Sequence, residues 1–259
     1  MTALIFDCDG VLADTERDGH LPAFNATFEH FGLPVRWSEG EYGEKLRIGG
    51  GKERMATLFA DQDVVAAAGL PADEAAQRAL LAEWHAYKSK IFVERIHEDL
   101  LPGRPGVVRL VDEARAAGWR LAVASTSAEA SVRAVLGHVV GGDRAAAFFV
   151  AAGDVVAAKK PDPAIYAFTL EQLGIGADEA IVIEDSRNGL LAAVGAGLRC
   201  VVTVSSYTAD ESMEEAELVC SSLGDPGEPM RVLANRSPAH PAGEIVLDDL
   251  EACLAGVRR

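Results

Sequence analysis

Two aspartates, Asp7 and Asp9, stand two positions apart directly after the short apolar run Ala3–Phe6. Such a run is typical of a buried strand, and carboxylates at i and i+2 just past it can converge on one cation. Gly10 allows the tight turn that this requires. Hard divalent cations prefer oxygen ligands, one carboxylate can attack phosphorus, and its neighbour can carry a proton. Taken alone, the pair also fits a strand that simply ends in an acidic turn.

Three further groups of polar residues follow later in the chain. Ser125 can donate a hydrogen bond to a phosphoryl oxygen, whereas Ser127 has the position of a helix N-cap. Lys160, fixed before a proline, can neutralise a nucleophile and a phosphoryl group in transfer. Glu184 and Asp185 close an apolar run and can complete the oxygen shell of a metal. Each group also has a purely structural interpretation as a cap or a turn.

The elements that position these residues alternate between strands and helices. The apolar runs cover residues 3–6, 121–124, 180–183 and 200–204, and the helical stretches cover residues 105–117, 128–136, 162–173 and 186–196. Glycines follow these helices where C-terminal caps are expected, at Gly118, Gly137, Gly174 and Gly197. The alternation predicts a doubly wound parallel α/β sheet, a Rossmann-like core, in which ligands bind beyond the carboxyl ends of the strands.

Residues 15–91 break this rhythm, because they contain helical spacing and no strong strand candidate. We therefore expect a core domain formed by residues 1–14 and 92–259, with a helical cap domain inserted at residues 15–91. Residues 224–243 are rich in Pro and Gly and predict a surface loop. A final helix is expected at residues 247–254.

The four groups in this order resemble the motifs of the haloacid dehalogenase-like phosphatases, over nearly the whole chain. The resemblance implies that Asp7 is the nucleophile and that Asp9 is the general acid and base. It also implies a Mg²⁺ cofactor bound by Asp7, the backbone carbonyl of Asp9, and Asp185, with Glu184 as a further ligand or a supporting residue. The remaining assignments are Ser125 and Thr126 for the phosphoryl group, Lys160 for charge, and Lys159 as a solvated neighbour.

The inserted segment resembles the cap of the CbbY-type sugar bisphosphatases, which act on xylulose 1,5-bisphosphate. A bisphosphate needs cations for its second phosphate, and a glycine-rich turn with a lysine can supply donors. The substrate-binding residues implied by the resemblance are Glu16, His20, Tyr42, Gly51, Lys52 and Arg54. Tyr42 is equally compatible with a core aromatic, and the glycines with a plain loop. The expected substrate is a small phosphosugar, xylulose 1,5-bisphosphate. The expected product of its hydrolysis is xylulose 5-phosphate.

Four alternatives stay open with different weight. A β-phosphoglucomutase-like enzyme needs a cap histidine, yet the aligned position is Gly19, since His20 lies one residue farther from Asp9 than in these relatives. The spacing implies an insertion, and the glycine at the aligned position favours hydrolysis. A phosphoglycolate phosphatase would leave the Gly-Lys turn without a role. A non-catalytic phosphosugar-binding protein would be expected to lose site residues, and a dehalogenase would leave the metal shell unexplained.

Composition limits the partners and the compartment. The formal net charge of −16 disfavours binding to nucleic acid and to anionic membranes. The apolar runs are too short for a membrane helix, and the first acidic residues leave no signal-peptide pattern. The four cysteines show no metal-like spacing and are expected as buried, reduced thiols. We expect a cytoplasmic enzyme that is a monomer or a weak homodimer.

Overall fold

The computed structural model describes residues 2–98 and 101–256. The chain divides into two compact units, of which one, here the core unit, contains Met1–Asp14 and Pro102–Arg259. The other, here the cap unit, contains Thr15–Leu101.

The end of the cap unit differs from the sequence prediction. Residue 92, where the core was expected to resume, lies inside a helix that continues to His97. The helix extends because Phe92 and Ile96 prolong its buried face, at 0% and 1% exposure.

The core unit is built on one sheet with the strand order β3-β2-β1-β4-β5-β6-β7. All neighbouring strands are parallel except the last pair, β6 and β7. The strands are β1 (Ala3–Phe6), β2 (Arg120–Ser125), β3 (Phe148–Ala152), β4 (Ala180–Glu184), β5 (Arg199–Thr203), β6 (Leu218–Cys220) and β7 (Val232–Asn235). The predicted doubly wound α/β architecture is therefore confirmed.

Helices connect the strands of the core unit and cover the sheet. They are α6 (Val107–Ala116), α7 (Glu129–Val140), α8 (Gly142–Ala145), α9 (Ala164–Leu173), α10 (Arg187–Gly195) and α11 (Leu247–Ala255), with a 3₁₀ turn at Ala177–Glu179. Strands β1, β4 and β5 are buried along their whole length, as expected of parallel strands covered on both faces. The chain runs outward from β1 to β3 and then returns to β4 on the other side of β1. The carboxyl ends of β1 and β4 therefore meet at the switch point of the sheet, where such folds bind ligands.

The cap unit is helical. It contains a π-helix (Glu16–His20), α1 (Leu21–His30), α2 (Glu39–Lys45), α3 (Gly51–Ala56), a 3₁₀ turn (Thr57–Ala60), α4 (Gln62–Ala68) and α5 (Glu74–His97). Its interior is aromatic, with Phe24 lying 5.2 Å from the ring of Trp37 and 5.7 Å from that of Tyr42. The side chain of Asn25 bonds both backbone groups of Trp37, at 2.8 and 2.9 Å, and so fixes the chain between α1 and α2.

Two local predictions were wrong. Gly137 does not end a helix, because α7 continues to Val140 and is followed by Gly141 with a φ of 79°. Residues 224–243 are not wholly a loop, because β7 lies within them. This strand is short, largely exposed and antiparallel, unlike the buried parallel strands, and it lies within a segment rich in Pro and Gly.

Two further predictions concern the chain as a whole. The four cysteines all lie within the described residues, where they are buried and none is in a disulfide, as expected. No helix in the described part of the chain has both the length and the apolar character needed to cross a membrane.

Candidate active site

Asp7 is the first residue after β1, at the switch point of the sheet. Its backbone N–H donates to the carbonyl of Ile183, 2.9 Å away, so the ladder between β1 and β4 extends to this residue. The Asp7 side chain is buried. Burial raises the pKa of its carboxyl to about 7, and the charges of Glu184 and Asp9 add to this against the opposing effect of Lys160.

The ammonium of Lys160 connects the Asp7 carboxylate with two further acceptors. It donates to Oδ1 of Asp7 at 2.7 Å, to Oε1 of Glu184 at 2.7 Å and to the carbonyl of Ala124 at 2.9 Å. These contacts occupy all three of its donors. Burial opposes the charged form of Lys160, but the two carboxylates overcome it and raise the pKa of the lysine. Lys160 therefore stays cationic and orients Asp7.

Glu184, the last residue of β4, is fully buried and its two oxygens have separate partners. Oε1 accepts from Lys160 and from the hydroxyl of Tyr166, at 2.7 and 2.6 Å. Oε2 accepts from the backbone N–H of Asp185 at 3.0 Å. A side chain at Gly189 would overlap this carboxylate, so the glycine makes room for it. The sequence left two roles open for Glu184, metal ligand and supporting residue. These contacts favour the supporting role.

Asp7, Glu184 and Asp185 form a buried acidic cluster whose oxygens lie within 4.8 Å of one another. Burial, followed by the charges of Glu184 and Asp7, raises the pKa of Asp185 well above its usual range. Three buried carboxylates outnumber the two cations that act on them, Lys160 and Arg104, so the cluster keeps excess negative charge, which is costly without a further cation. The oxygen donors and the charge therefore fit a hard divalent metal.

Asp9 lies on the tight turn that follows β1. Its Oδ2 accepts a hydrogen bond from the hydroxyl of Ser127, at 2.5 Å. Gly10 has a φ of 79°, and a side chain there would overlap the carboxylate of Asp185. The glycine therefore allows the turn to lie directly against a proposed metal ligand.

The assignment of Ser127 as a helix cap was wrong. The N-cap of α7 is Ala128, which makes no side-chain capping bond, and the Ser127 hydroxyl contacts Asp9 instead. The contact joins residues 118 positions apart, so no local pattern could reveal it. Ser186 is the N-cap of α10, since its hydroxyl accepts from the N–H of Gly189.

The other residues at the end of β2 lie near the same edge. Ser125 is buried and its Oγ accepts from the N–H of Ser127 at 3.1 Å. Thr126 lies between these two serines and is half-buried. Lys159 was predicted as a solvated neighbour, but its ammonium donates to the carbonyl of Gly153 at 2.6 Å and its side chain is only 14% exposed.

We predict that Ser127→Ala lowers kcat/KM for a sugar phosphate about five- to tenfold, because a hydrogen bond of about 1 kcal/mol that orients Asp9 is lost. Ser127→Thr keeps the hydroxyl and should retain most of the activity. Steady-state kinetics on both variants measure this. Equal losses in the two variants, or no loss in Ser127→Ala, would contradict an orienting role.

Within the cap unit, three of the predicted substrate residues form one polar cluster. The hydroxyl of Tyr42 donates to Oε2 of Glu16, and Nη1 of Arg54 donates to the Tyr42 oxygen at 3.0 Å. Arg54 also lies 3.4 Å from Oε1 of Glu16, and the two side chains are 12% and 13% exposed. Tyr42 itself is fully buried, so it is a core aromatic that orients its two charged neighbours.

Gly51 and Lys52 begin α3 and are half-buried. A β-carbon on Gly51 would lie 3.2 Å from Nε2 of His85 and 3.5 Å from the ring of Phe24. Close packing against these rings is therefore one reason for a glycine at this position, apart from any ligand.

His20 lies inside the cap unit, at 3% exposure. Its ring stacks on Phe92 with centroids 3.9 Å apart, and its Nδ1 lies 2.6 Å from the ammonium of Lys88. The π-helix Glu16–His20 explains the spacing noted in the sequence, because a π turn accommodates one residue more than an α turn. Because the extra residue is absorbed in this turn, the glycine at position 19 no longer counts against a mutase.

Over most of its length the chain is similar to known proteins of one family. Residues 1–197 match the haloacid dehalogenase-like hydrolase family. A CBBY-like protein of Arabidopsis thaliana is 48% identical over 88% of this chain and 70% of its own length. The plasmid-encoded CbbY of Cupriavidus necator is 42% identical over 89% of each chain. A crystal structure of a CbbY mutant from Rhodobacter sphaeroides in complex with xylulose-(1,5)bisphosphate has a TM-score of 0.78 and 39% identity, covering 86% of this chain and 94% of that one.

Proposed function

Because the chain belongs to the haloacid dehalogenase-like hydrolase family, we propose that it is a magnesium-dependent sugar phosphatase. We further propose that it converts xylulose 1,5-bisphosphate to xylulose 5-phosphate through an aspartyl phosphate on Asp7. The observation that carries the proposal is the Asp7 carboxylate, oriented by Lys160 at 2.7 Å within a buried acidic cluster. Within this proposal the enzyme acts in the cytoplasm as a monomer or a weak homodimer.

The first half of the proposed reaction transfers the phosphoryl group to the enzyme. A carboxylate oxygen of Asp7 forms a bond to phosphorus while the bond between phosphorus and the sugar oxygen breaks. Asp9 gives its proton to the leaving oxygen. Lys160 and the hydroxyl of Ser125 stabilise the charge on the phosphoryl oxygens, with Thr126 beside them.

The second half releases phosphate and restores the enzyme. Asp9, now a carboxylate, takes a proton from a water molecule that attacks phosphorus, and the bond between phosphorus and Asp7 breaks. The hydrogen bond from Ser127 keeps Asp9 in the same orientation for both proton transfers. The net change is hydrolysis of one phosphate ester by one water molecule.

We assign Mg²⁺ to oxygens of Asp7 and Asp185 and to the backbone carbonyl of Asp9. When bound there, the ion supplies positive charge to the transferring phosphoryl group. Glu184 supports the site through Lys160, since its two oxygens already accept hydrogen bonds.

The proposed substrate class rests on the relatives and on the cap unit. The CbbY mutant noted above was crystallised with xylulose 1,5-bisphosphate, and the matched region of the two proteins includes most of each chain. We assign substrate binding in the cap unit to Glu16, Arg54, Gly51 and Lys52. Tyr42 would act by orienting Glu16 and Arg54, and His20 by packing with Lys88 and Phe92.

The test is phosphate release from a panel of phosphate esters, each with and without magnesium: xylulose 1,5-bisphosphate, ribulose 1,5-bisphosphate, fructose 1,6-bisphosphate, β-glucose 1-phosphate and phosphoglycolate. We expect the fastest magnesium-dependent release from xylulose 1,5-bisphosphate. Formation of glucose 6-phosphate from β-glucose 1-phosphate is measured as well, since it would indicate a mutase. Preference for a monophosphate would leave a phosphatase but remove the bisphosphate assignment.

Lys52→Met tests the second phosphate directly. We expect KM for the bisphosphate to rise about tenfold, or ~1.4 kcal/mol, with little change for a monophosphate. The matched control is Lys90→Met, since Lys90 belongs to the same unit but its side chain is 69% exposed and pairs with Glu94. Equal effects on both substrates, or the same effect in the control, would argue against a phosphate contact at Lys52.

A further inference from the structure

Arg104 makes an unusual set of contacts in the core unit. Its guanidinium donates to the backbone carbonyls of Gly10, Thr203, Val204 and Ser221. The last three distances are 2.9, 2.7 and 2.7 Å. The acceptors belong to three separate segments: the turn after β1, the end of β5 and the residue after β6. One side chain therefore joins three loops at the same edge of the sheet.

The turn after β1 is the segment that bears Asp9. Arg104 holds it twice, since its side chain contacts the carbonyl of Gly10 and its backbone N–H donates to the carbonyl of Leu12 at 2.9 Å. Gly10 follows Asp9 directly and packs against the carboxylate of Asp185 without room for a side chain. A shift of the Gly10 carbonyl would therefore move the turn that bears Asp9.

The chemistry of these contacts requires an arginine. The four carbonyls are approached by two different nitrogens, Nη1 and Nη2, of one planar group. A lysine carries its donors on one nitrogen atom and cannot reproduce this fork, although it keeps the charge. Replacement by lysine therefore separates the geometry of the contact from its charge.

We propose that Arg104 is a positioning residue for proton transfer by Asp9. It fixes the turn between β1 and the cap unit against the ends of β5 and β6, and so sets the direction of the Asp9 carboxylate. This inference rests on the proposed function, in which Asp9 protonates the leaving oxygen. It adds a residue that lies 94 positions from the turn it orients.

The test compares two leaving groups. An alkoxide leaving from a sugar phosphate needs the proton of Asp9, whereas p-nitrophenolate is stable without one. We expect Arg104→Lys to lower kcat/KM for both esters, with a loss for the sugar phosphate that is roughly tenfold larger than the loss for p-nitrophenyl phosphate. This tenfold difference is a fraction of the full contribution of a general acid. The ratio of the two constants is unaffected by the fraction of enzyme that folds, so partial unfolding of the variant does not obscure the result.

The matched control is Arg109→Lys. Arg109 also donates to backbone carbonyls, those of Ile245, Leu223 and Gly224, at 2.9, 3.1 and 2.7 Å, but none of these belongs to the turn that bears Asp9. We expect the control to lower the melting temperature and leave the ratio unchanged. An unchanged ratio in Arg104→Lys, or an equal change in the control, would overturn the positioning role.

The same measurements distinguish failure of the proposed function from failure of the Arg104 role. If the wild-type protein hydrolyses neither ester, the proposed function fails and the role of Arg104 fails with it. If it hydrolyses the esters and only the change in ratio is missing, the role of Arg104 fails alone.

Discussion

Asp7→Asn should abolish phosphate release, with a fall in kcat on the order of 10⁴-fold or more, as expected for loss of a nucleophile. An amide oxygen cannot form the proposed acyl phosphate. The fold should persist, because Asn keeps the shape of a side chain whose buried charge is unfavourable. Steady-state phosphate release and thermal unfolding, each with magnesium, measure the two expectations.

Trapping the intermediate makes this prediction specific. Wild-type enzyme quenched with acid during turnover of ³²P-labelled substrate should retain label that hydroxylamine removes, as an acyl phosphate does, and Asp7→Asn should retain none. Asp112→Asn is the control, since that carboxylate pairs with Arg144 at 2.6 Å on the surface of the same unit. Substantial magnesium-dependent turnover by Asp7→Asn would reject the nucleophile assignment.

Lys160→Met should combine a large loss of activity with a loss of stability. Activity should fall by about 10³-fold, because a charge that acts on the nucleophile and on the phosphoryl group is removed. Asp7 and Glu184 would lose their common cation while buried, which costs about 3–5 kcal/mol when one partner of a buried pair is removed. Both kcat and the free energy of unfolding should therefore be measured, with and without magnesium.

The neighbouring lysine is the control for this variant. Lys159 bonds the carbonyl of Gly153 and the carboxylate of Asp154, away from Asp7, so Lys159→Met should change kcat by less than about threefold. Magnesium should recover part of the stability of Lys160→Met, because a cation can then compensate the same carboxylates. Equal losses in the two variants would show that Lys160 has no special role.

Much of the core site could be predicted because its signals are local. An apolar run followed at once by a polar residue marks the carboxyl end of a parallel strand, which is where Asp7, Ser125 and Glu184 lie. The same rule fails for β3, β6 and β7. β3 follows an alanine-rich segment with no clear boundary, β6 has only three residues, and β7 is an exposed antiparallel strand.

The missed features depend on contacts between distant segments. The Ser127 hydroxyl could serve a helix or a carboxylate, and only the fold decides between them. Gly137 resembles a helix end, but the buried Val140 extends α7 beyond it. The extra residue before His20 predicts an insertion, but not that a π turn would absorb it. For Arg104, the sequence offers no periodicity or motif that points to four backbone carbonyls.

The backbone acceptors of Arg104 have a consequence for how this protein can change over time. A carbonyl is present whatever the side chain, so substitutions at residues 203, 204 and 221 would leave this junction intact. At these three contacts the constraint falls on the arginine and not on its partners, so pairwise covariation would give no sign of it. The loops after β5 and β6 are thus free to vary in sequence at these positions while the turn that bears Asp9 keeps its position.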